Sequence, residues 1–279
     1  MKNLKFLFIT LCTILFLTSC SNSATPVDTT GEFNEMKVNI LNVGKADCII
    51  ITTKNSTIMI DTGYKDDEDI ILNYLKENNI NELNYLILTH FDEDHIGSAS
   101  KIIKNIDVKQ VIEPNYIKYS SEYEKLVKAL TVKKITPQVL TKELSFTLDD
   151  AVFTIYPSLK TDYGKNASNE FSLVTSISHG ENKFLFAGDS ENERLKELST
   201  QLDLKHTFLK VPHHGFYDKN SEEFLKAVDA KYAVITCSDD YPPSDKILDI
   251  LKNTNTEVYL ANKGNISCSS DGFSIKISQ

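Results

Sequence analysis

Two histidines and two aspartates fall within six positions of the chain, in His90-Phe-Asp92-Glu-Asp94-His95. Imidazole nitrogens and carboxylate oxygens both bind divalent metals, so this spacing favours a metal site. A single aspartate here would be explained as the N-cap of a following helix, because Asp is a common capping residue. Capping does not explain a histidine at each end of the run. We therefore predict a metal site formed by four side chains, His90, Asp92, Asp94 and His95.

Three other segments place acidic or histidine side chains directly after a short apolar run. Asp61 follows Ile58-Met-Ile60, Asp189 follows Phe184-Leu-Phe-Ala-Gly188, and the pair His213-His214 follows Leu209-Lys-Val-Pro212. For Asp61, a turn residue before glycine is the alternative interpretation. The paired histidines are harder to explain as turn residues, because the chain has only six His in all.

Short Ile- and Val-rich runs with interspersed helical patterns must position these side chains. We expect a buried strand over residues 85–88 before the segment from His90 to His95, which we call the metal loop, and a helix over residues 96–106 after it. Ser190 and Glu193 have the spacing of a capping box for a helix over residues 190–202, which would leave Asp189 free for a metal. His179 and His206 are predicted to be ordinary surface residues.

The run from His90 to His95 resembles the signature of the metallo-β-lactamase superfamily, whose usual form is His-x-His-x-Asp-His. The variant with Asp in the second position is similar to the hydrolase domain of ComEC-type competence proteins. The resemblance covers residues 36–279. It implies an α/β (α+β) fold, the αββα sandwich, with two mixed sheets packed face to face and helices outside, which also suits this pattern of elements.

The resemblance implies a role for each matching side chain. Asp61 would orient the metal loop without itself binding metal, and Asp189 would bridge two metals. Of the histidine pair, His214 is expected to be the ligand and His213 a proton donor or transition-state contact, although the sequence does not decide between them. Asn169 lies in an Asn-x-x-Ser pattern of the ComEC-type group. It stands where the typical superfamily site has a further His ligand, so one metal would have fewer protein ligands.

Some positions depart from the family pattern. Val43-Gly-Lys-Ala-Asp47 resembles a Gly-Gln-Gly-Asp element but differs at two positions, and we give Asp47 only a supporting role. Phe216 stands where the family has Ser after His-His-Gly, and Tyr241 begins a Tyr-Pro-Pro segment where a His-Pro pair is common. For Lys210, a cation of the site and a strand residue that reaches solvent are equally good interpretations.

Charge favours an anionic substrate. Asp92, Asp94 and Asp189 supply about three negative charges against about four positive charges from two divalent ions, which leaves a mildly positive centre. One or two ions, Zn²⁺ or Mn²⁺, suit this carboxylate-rich set. We therefore predict a metal-dependent hydrolase that cleaves a phosphodiester with metal-activated water, with Asp94, His213 and His214 as its catalytic residues.

Other functional classes fit the site less well. Asp92 in place of the usual His argues against a true β-lactamase. The alternative from another class is a non-catalytic surface lipoprotein that holds a metal as a structural clasp. A clasp would not require the histidine pair His213-His214.

The composition limits the range of partners. The chain has 279 residues, 41% of them hydrophobic, and a net charge of −9. This length and apolar content suit one large domain over residues 36–279. An acidic surface does not steer nucleic acid toward the protein. A nucleic-acid substrate is therefore possible but disfavoured. A phosphodiester of the cell envelope or a small-molecule phosphodiester is favoured over it.

The first residues have the pattern of an export signal. Lys2 and Lys5 precede an apolar run that ends in small polar residues, and Leu17-Thr-Ser-Cys20 resembles the lipobox of bacterial lipoproteins. We predict a signal peptide over residues 1–19, with Cys20 lipidated and residues 20–35 forming a flexible tether. An ordinary signal peptide with an incidental Cys is the alternative. The lipid anchor would hold the exported protein at the outer face of the bacterial cytoplasmic membrane.

Overall fold

The computed structural model describes residues 33–164 and 167–279. The predicted signal peptide and the predicted lipidation site Cys20 lie outside these residues. Across the two described ranges, no helix combines the length and the apolar character that crossing a membrane requires. Among the described residues, Phe33 packs against the domain, and its ring meets that of His179 edge to face at 5.5 Å. Asn34 follows, and its backbone N–H donates to Asp150 at 2.8 Å.

The chain alternates between strands and helices from Met36 onward. The described residues form fifteen strands: β1 Met36–Ile40, β2 Ile49–Thr52, β3 Thr57–Ile60, β4 Glu82–Ile87, β5 Asp107–Pro114, β6 Gln138–Leu140, β7 Leu144–Leu148, β8 Ala151–Tyr156, β9 Val174–His179, β10 Asn182–Phe186, β11 Phe208–Lys210, β12 Tyr232–Ile235, β13 Glu257–Leu260, β14 Ile266–Ser270 and β15 Ile275–Ser278. They also form seven α-helices: α1 Glu68–Glu77, α2 Glu93–Ile96, α3 Ala99–Asn105, α4 Ser121–Lys133, α5 Asn192–Gln201, α6 Ser221–Val228 and α7 Asp245–Asn253.

The strands form two mixed sheets. The first has the order β15-β14-β1-β2-β3-β4-β5-β6, and the second has the order β13-β12-β11-β10-β9-β8-β7. Strands β3 to β6 run parallel in the first sheet, and β10 to β13 run parallel in the second. The remaining pairings are antiparallel. The predicted sandwich of two mixed sheets is confirmed.

Three apolar layers hold the sandwich together. Ile49 and Ile51 of β2 point between the two sheets, while Ile50 of the same strand packs under the helices on the outer face. A third cluster fills the space between the second sheet and α5, α6 and α7. Because both faces of the central strands are covered, these strands are continuous apolar runs rather than alternating ones. Each fully buried Ile side chain contributes about 1.5–3 kcal/mol to folding.

Four of the candidate site segments follow the carboxyl end of a parallel strand. Asp61 follows β3 and His90 follows β4 in the first sheet, while Asp189 follows β10 and His214 follows β11 in the second. Carboxyl ends of parallel strands meet at one edge of a sheet, where open α/β sheets place their ligand sites. The fold thus brings the four segments together from distant parts of the chain.

Two local predictions are wrong. The helix expected over residues 96–106 is broken, because α2 ends at Ile96 and α3 begins at Ala99. Between them, a Cβ on Gly97 would lie 2.3 Å from the backbone nitrogen of Lys65, so a neighbouring loop passes directly over this position. The capping box is also absent: Ser190 donates its hydroxyl hydrogen to the carbonyl of Ala187 at 2.6 Å, outside the helix.

The surface positions predicted for His179 and His206 are also wrong. The exposed fractions of these two side chains are 1% and 5%. His179 hydrogen-bonds to Ser270 at 2.8 Å, and His206 hydrogen-bonds to Ser176 at 2.7 Å. Their polar atoms therefore have partners inside the fold, which makes burial of an imidazole tolerable.

Candidate metal centre

Four side chains converge between the two sheets. One ligand atom from each of Asp94, His95, Asp189 and His214 lies within 4.8 Å of all the others, and all four residues are buried. The Nε2 atoms of His95 and His214 lie 3.2 and 3.1 Å from Oδ2 of Asp189. Imidazole nitrogens and carboxylate oxygens are both donors that divalent cations such as Zn²⁺ and Mn²⁺ bind.

Asp61 fixes the orientation of the His95 ring. Oδ2 of Asp61 lies 2.7 Å from Nδ1 of His95 and accepts the Thr89 hydroxyl at 2.6 Å, while Oδ1 accepts the Thr89 N–H at 2.8 Å. Because Nδ1 is engaged, the other ring nitrogen of His95 faces Asp189. This carboxylate–histidine arrangement is the usual support of a metal-binding imidazole.

A second chain of contacts orients His214. Its Nδ1 lies 3.0 Å from both the carbonyl oxygen and the hydroxyl of Thr236, and that hydroxyl donates to Asp47 at 2.7 Å. The other oxygen of Asp47 lies 2.5 Å from Nζ of Lys210, which is completely buried. Lys210 also lies 3.6 Å from Asp189. The structure thus decides the role that the sequence left open, since Lys210 is a buried cation of the centre.

The backbone directly after strands β10 and β11 has an unusual conformation. His213, His214 and Gly215 have φ values of 47°, 53° and 78°, so three consecutive residues are left-handed. Such conformations cost about 1–2 kcal/mol for each residue other than Gly. Gly188 is also left-handed at φ 54°, and a Cβ there would lie 3.1 Å from the Cβ atoms of Ser172 and Thr89. Strain of this kind is typical of residues that function holds in place.

The charges of the cluster stabilise one another. Burial alone would raise the pKa of Asp189, but His214, His95 and Lys210 outweigh it and hold that pKa well below the ordinary value. Burial would likewise lower the pKa of His95, yet Asp189 and Asp61 raise it well above 6.5. Protons therefore compensate the carboxylates when no metal is bound, and a metal must displace them.

The donor set passes a direct test of fit to a divalent cation. The buried atoms without a hydrogen-bond partner in the described residues include Nε2 of His90, His95 and His214, and Oδ1 of Asp189. Buried polar atoms normally have hydrogen-bond partners, so several neighbouring atoms without one need an explanation. A divalent cation would satisfy these atoms together. The buried cluster of His and Asp side chains therefore fits a divalent metal.

His90 and Asp92 lie beside the cluster but are arranged differently. Burial lowers the pKa of His90 to about 3, so its ring is neutral and can donate a lone pair. Its Nε2 lies 3.8 Å from Asp92. Asp92 itself is paired with Lys118 at 2.6 Å and is one-quarter exposed. These two residues could contribute to a second ion together with Asp189, with fewer protein ligands than the first.

Asn169 and His213 lie close to each other and share a contact with Glu191. The amide nitrogen of Asn169 lies 3.4 Å from Nε2 of His213 and donates to Glu191 at 2.7 Å. Glu191 lies 3.2 Å from Nδ1 of His213. His213 is one-fifth exposed, whereas the neighbouring His214 is buried. The two histidines of the pair therefore face different environments, and only His214 lies in the four-residue cluster.

Three charged residues of the centre were not identified in the sequence. Lys118 and Glu191 contact Asp92 and His213, as described above, and Lys45 lies 2.6 Å from Asp94. Lysine and glutamate are common on surfaces, so nothing local distinguishes these three. Their partners are distant in the sequence and become neighbours only in the fold.

Known proteins support this description. A model of the metallo-beta-lactamase superfamily matches residues 41–238. ComE operon protein 3 of Bacillus subtilis (strain 168) is 26% identical over 273 residues, which cover 88% of this chain and 33% of that protein. Recombination protein 2 of Haemophilus influenzae is 29% identical over 214 residues, covering 72% of this chain and 24% of that protein. The chain thus spans about a third and a quarter of the lengths of these two relatives.

Solved structures show the same fold. The metallo-beta-lactamase fold protein YhfI from Bacillus subtilis superposes with a TM-score of 0.56 at 14% identity, over 82% of this chain and 98% of that chain. The family model covers β2 to β12, and with them the metal loop, Asp189 and His214. Because the family model matches residues 41–238, more than half of the chain, this chain belongs to the metallo-β-lactamase superfamily, and it is similar to the ComE-type proteins.

Proposed function

We propose that this protein is a metal-dependent hydrolase that cleaves phosphodiesters. One observation carries the proposal: the buried ligand atoms of Asp94, His95, Asp189 and His214 converge within 4.8 Å. A divalent metal held there supplies an activated water and stabilises the charge that develops on the substrate. A purely structural clasp would not require partly exposed groups such as His213 beside it.

The residues of this chain would divide the remaining tasks. Lys210 and Asp47 neutralise one another behind the cluster, so with two divalent ions bound the centre would keep a small positive charge toward the substrate. His213 is suited to proton transfer, because it is one-fifth exposed and lies 3.2 Å from Glu191. Asn169 holds Glu191 in place at 2.7 Å. A positive centre favours an anionic phosphodiester over a neutral amide.

The substrate class follows from the charge of the whole molecule. The chain carries a net charge of −9. Association with polyanions at physiological salt depends on basic patches. We therefore favour a small or envelope phosphodiester over DNA as the substrate.

Hydrolysis of bis(4-nitrophenyl) phosphate with Mn²⁺ or Zn²⁺ tests the proposal. Wild type should release 4-nitrophenol, and Asp94→Ala should abolish this activity while circular dichroism shows an unchanged fold. Glu93→Gln is a matched control, because Glu93 is the adjacent carboxylate, is half-exposed and faces Lys65 rather than the cluster. Metal bound without turnover of this ester would contradict the proposal and favour a metal-containing binding protein.

We also propose that the protein is exported and attached to the membrane by lipid at Cys20. The Leu-Thr-Ser-Cys segment after an apolar run supports this. Expression of the full-length chain in a bacterial host tests it. Wild type should enter the membrane fraction and label with a palmitate analogue, and Cys20→Ala should do neither. Equal labelling of both proteins would contradict lipidation at this residue.

A further inference from the structure

A lysine lies at the mouth of the metal centre. Nζ of Lys45 is 2.6 Å from Oδ2 of Asp94, and its side chain is 20% exposed, compared with 11% for Asp94. Lys210, the other cation that contacts the cluster, is completely buried. Lys45 is therefore placed between the buried ligands and solvent, on the side from which a substrate must arrive.

The ring of Phe216 completes this corner of the mouth. Nζ of Lys45 lies 5.9 Å from the centroid of the Phe216 ring, within the range of a cation–π contact. The Phe216 ring also meets the ring of His213 edge to face at 5.2 Å. Lys45 and Phe216 both occupy positions at which the chain departs from the family pattern, one in Gly-Gln-Gly-Asp and one in His-His-Gly-Ser. The two departures are in contact with each other.

Lys45 has unused hydrogen-bonding capacity. An ammonium group has three N–H donors. Within the two described ranges, Asp94 is the hydrogen-bond partner of the Lys45 side chain. Two donors therefore remain for a ligand at the mouth. A purely structural ion pair with Asp94 would not need a partly exposed lysine. A Gln at position 45 could also donate to Asp94, but it would add no positive charge.

We propose that Lys45 and Phe216 form a substrate subsite. Lys45 binds a non-bridging oxygen of the phosphodiester, and the face of Phe216 packs against the group esterified to that phosphate. This inference rests on the proposed function and assigns a specificity to it. The site selects substrates that combine an anionic phosphate with an apolar or aromatic ester group.

Inorganic phosphate provides a test that does not depend on turnover. Isothermal titration of the Mn²⁺-loaded full-length protein with phosphate should show binding to wild type. Lys45→Gln should weaken this binding about 10-fold or more, because a hydrogen bond to a charged group contributes about 1.5–3 kcal/mol. Lys45→Arg should keep most of the affinity. Lys65→Gln is the control, since it removes an equal charge from an exposed lysine paired with Glu93.

Steady-state kinetics separates substrate binding from an indirect effect on Asp94. With bis(4-nitrophenyl) phosphate, Lys45→Gln should raise KM about 10-fold and change kcat little. Phe216→Ala should raise KM for this ester more than for methyl 4-nitrophenyl phosphate, which presents a smaller group to the ring.

Several results would overturn the subsite. A Lys45→Gln variant that binds phosphate like wild type, lowers kcat at constant KM, or loses its metal would show that Lys45 serves Asp94 alone. Absence of phosphate binding by metal-loaded wild type would also overturn it. If wild type binds phosphate through Lys45 but hydrolyses no diester, the proposed function fails and the anion subsite stands.

Discussion

Nδ1 of His95 lies 2.7 Å from Oδ2 of Asp61, and neither side chain is exposed. The contact joins the residue that follows β3 to helix α2, and it determines which nitrogen of His95 faces the cluster. Asp61 adopts a left-handed backbone with φ 57° to make it. We expect this buried carboxylate to contribute to metal affinity by holding the His95 ring, without binding the metal itself.

Asp61→Asn should therefore weaken metal binding about 10–100-fold, as loss of such partners usually does. The amide keeps the size of the side chain but loses the charge that stabilises the ring. Titration of the metal-free protein with Zn²⁺ in competition with a chromophoric chelator measures the change. Asp66→Asn, an equal charge change at an exposed position, should bind like wild type. Equal affinity of Asp61→Asn and wild type would exclude this role.

The buried pair of Lys210 and Asp47 leads to a second prediction. Lys210→Met should lower the free energy of unfolding by about 3–5 kcal/mol, because it leaves Asp47 charged and buried without its partner. The double variant Lys210→Met with Asp47→Asn should lose less than the sum of the two single variants. Urea unfolding of the metal-free proteins measures all three. Strictly additive losses would show that the two residues do not interact.

Gly188 determines where Asp189 can lie. Gly188→Ala should lower the free energy of unfolding by about 2 kcal/mol or more and weaken metal binding, because it combines left-handed strain with two tight contacts. Gly164→Ala is the matched control: its φ is 88°, but no atom of the described residues beyond its chain neighbours lies within 4 Å of the added Cβ. Gly164→Ala should cost only about 1 kcal/mol. Similar losses in both variants would mean that the packing around Gly188 is unimportant.

Glu113, at the end of β5, should make stability depend on pH. Burial raises its pKa from 4.5 to about 7. The folded state therefore binds the proton more tightly, so this contribution to stability is complete below pH 4.5 and is lost as pH rises through 7. Glu113→Gln should be about 2–3 kcal/mol more stable than wild type at pH 8.5 and similar to it near pH 4.5.

Denaturant unfolding of wild type and Glu113→Gln at pH 8.5 and pH 4.5 tests the direction of this pH dependence. Glu143→Gln is the control, because Glu143 is exposed. It measures the effect of removing a carboxylate charge at the surface. A Glu113→Gln variant that is destabilised at pH 8.5 would show that the native site requires the charged carboxylate.

The ligand-bearing segments were predictable because each is a short local signal. The His-x-Asp-x-Asp-His run, Asp189 after an apolar strand and the pair His213-His214 can be read within a few residues, and parallel-sheet topology then brings them to one edge. The different roles of the residues within these segments were harder to predict. Asp92 belongs to the same run as Asp94, yet Asp92 is paired with Lys118 and lies outside the four-residue cluster.

The cations of the centre could not be predicted for a different reason. Lys45, Lys118 and Lys210 have partners that are distant in the sequence, and a single lysine has no pattern that reveals its partner. Burial of His179 was missed because the residue ends a strand beside a turn, where exposure is the usual outcome. His179 lies on the same buried face of β9 as Ile177, and Phe33 packs against it from the start of the domain.

Metal binding by the cluster is the central claim, and isothermal titration of metal-free protein with Zn²⁺ and Mn²⁺ tests it most directly. Wild type should bind at least one ion per chain, and His214→Ala should weaken the tightest site by about 100-fold or more. His206→Ala also removes a buried imidazole, but one that hydrogen-bonds to Ser176 outside the cluster, and it should bind like wild type. Absence of a bound ion, or equal affinity in His214→Ala and wild type, would contradict the assignment of this centre.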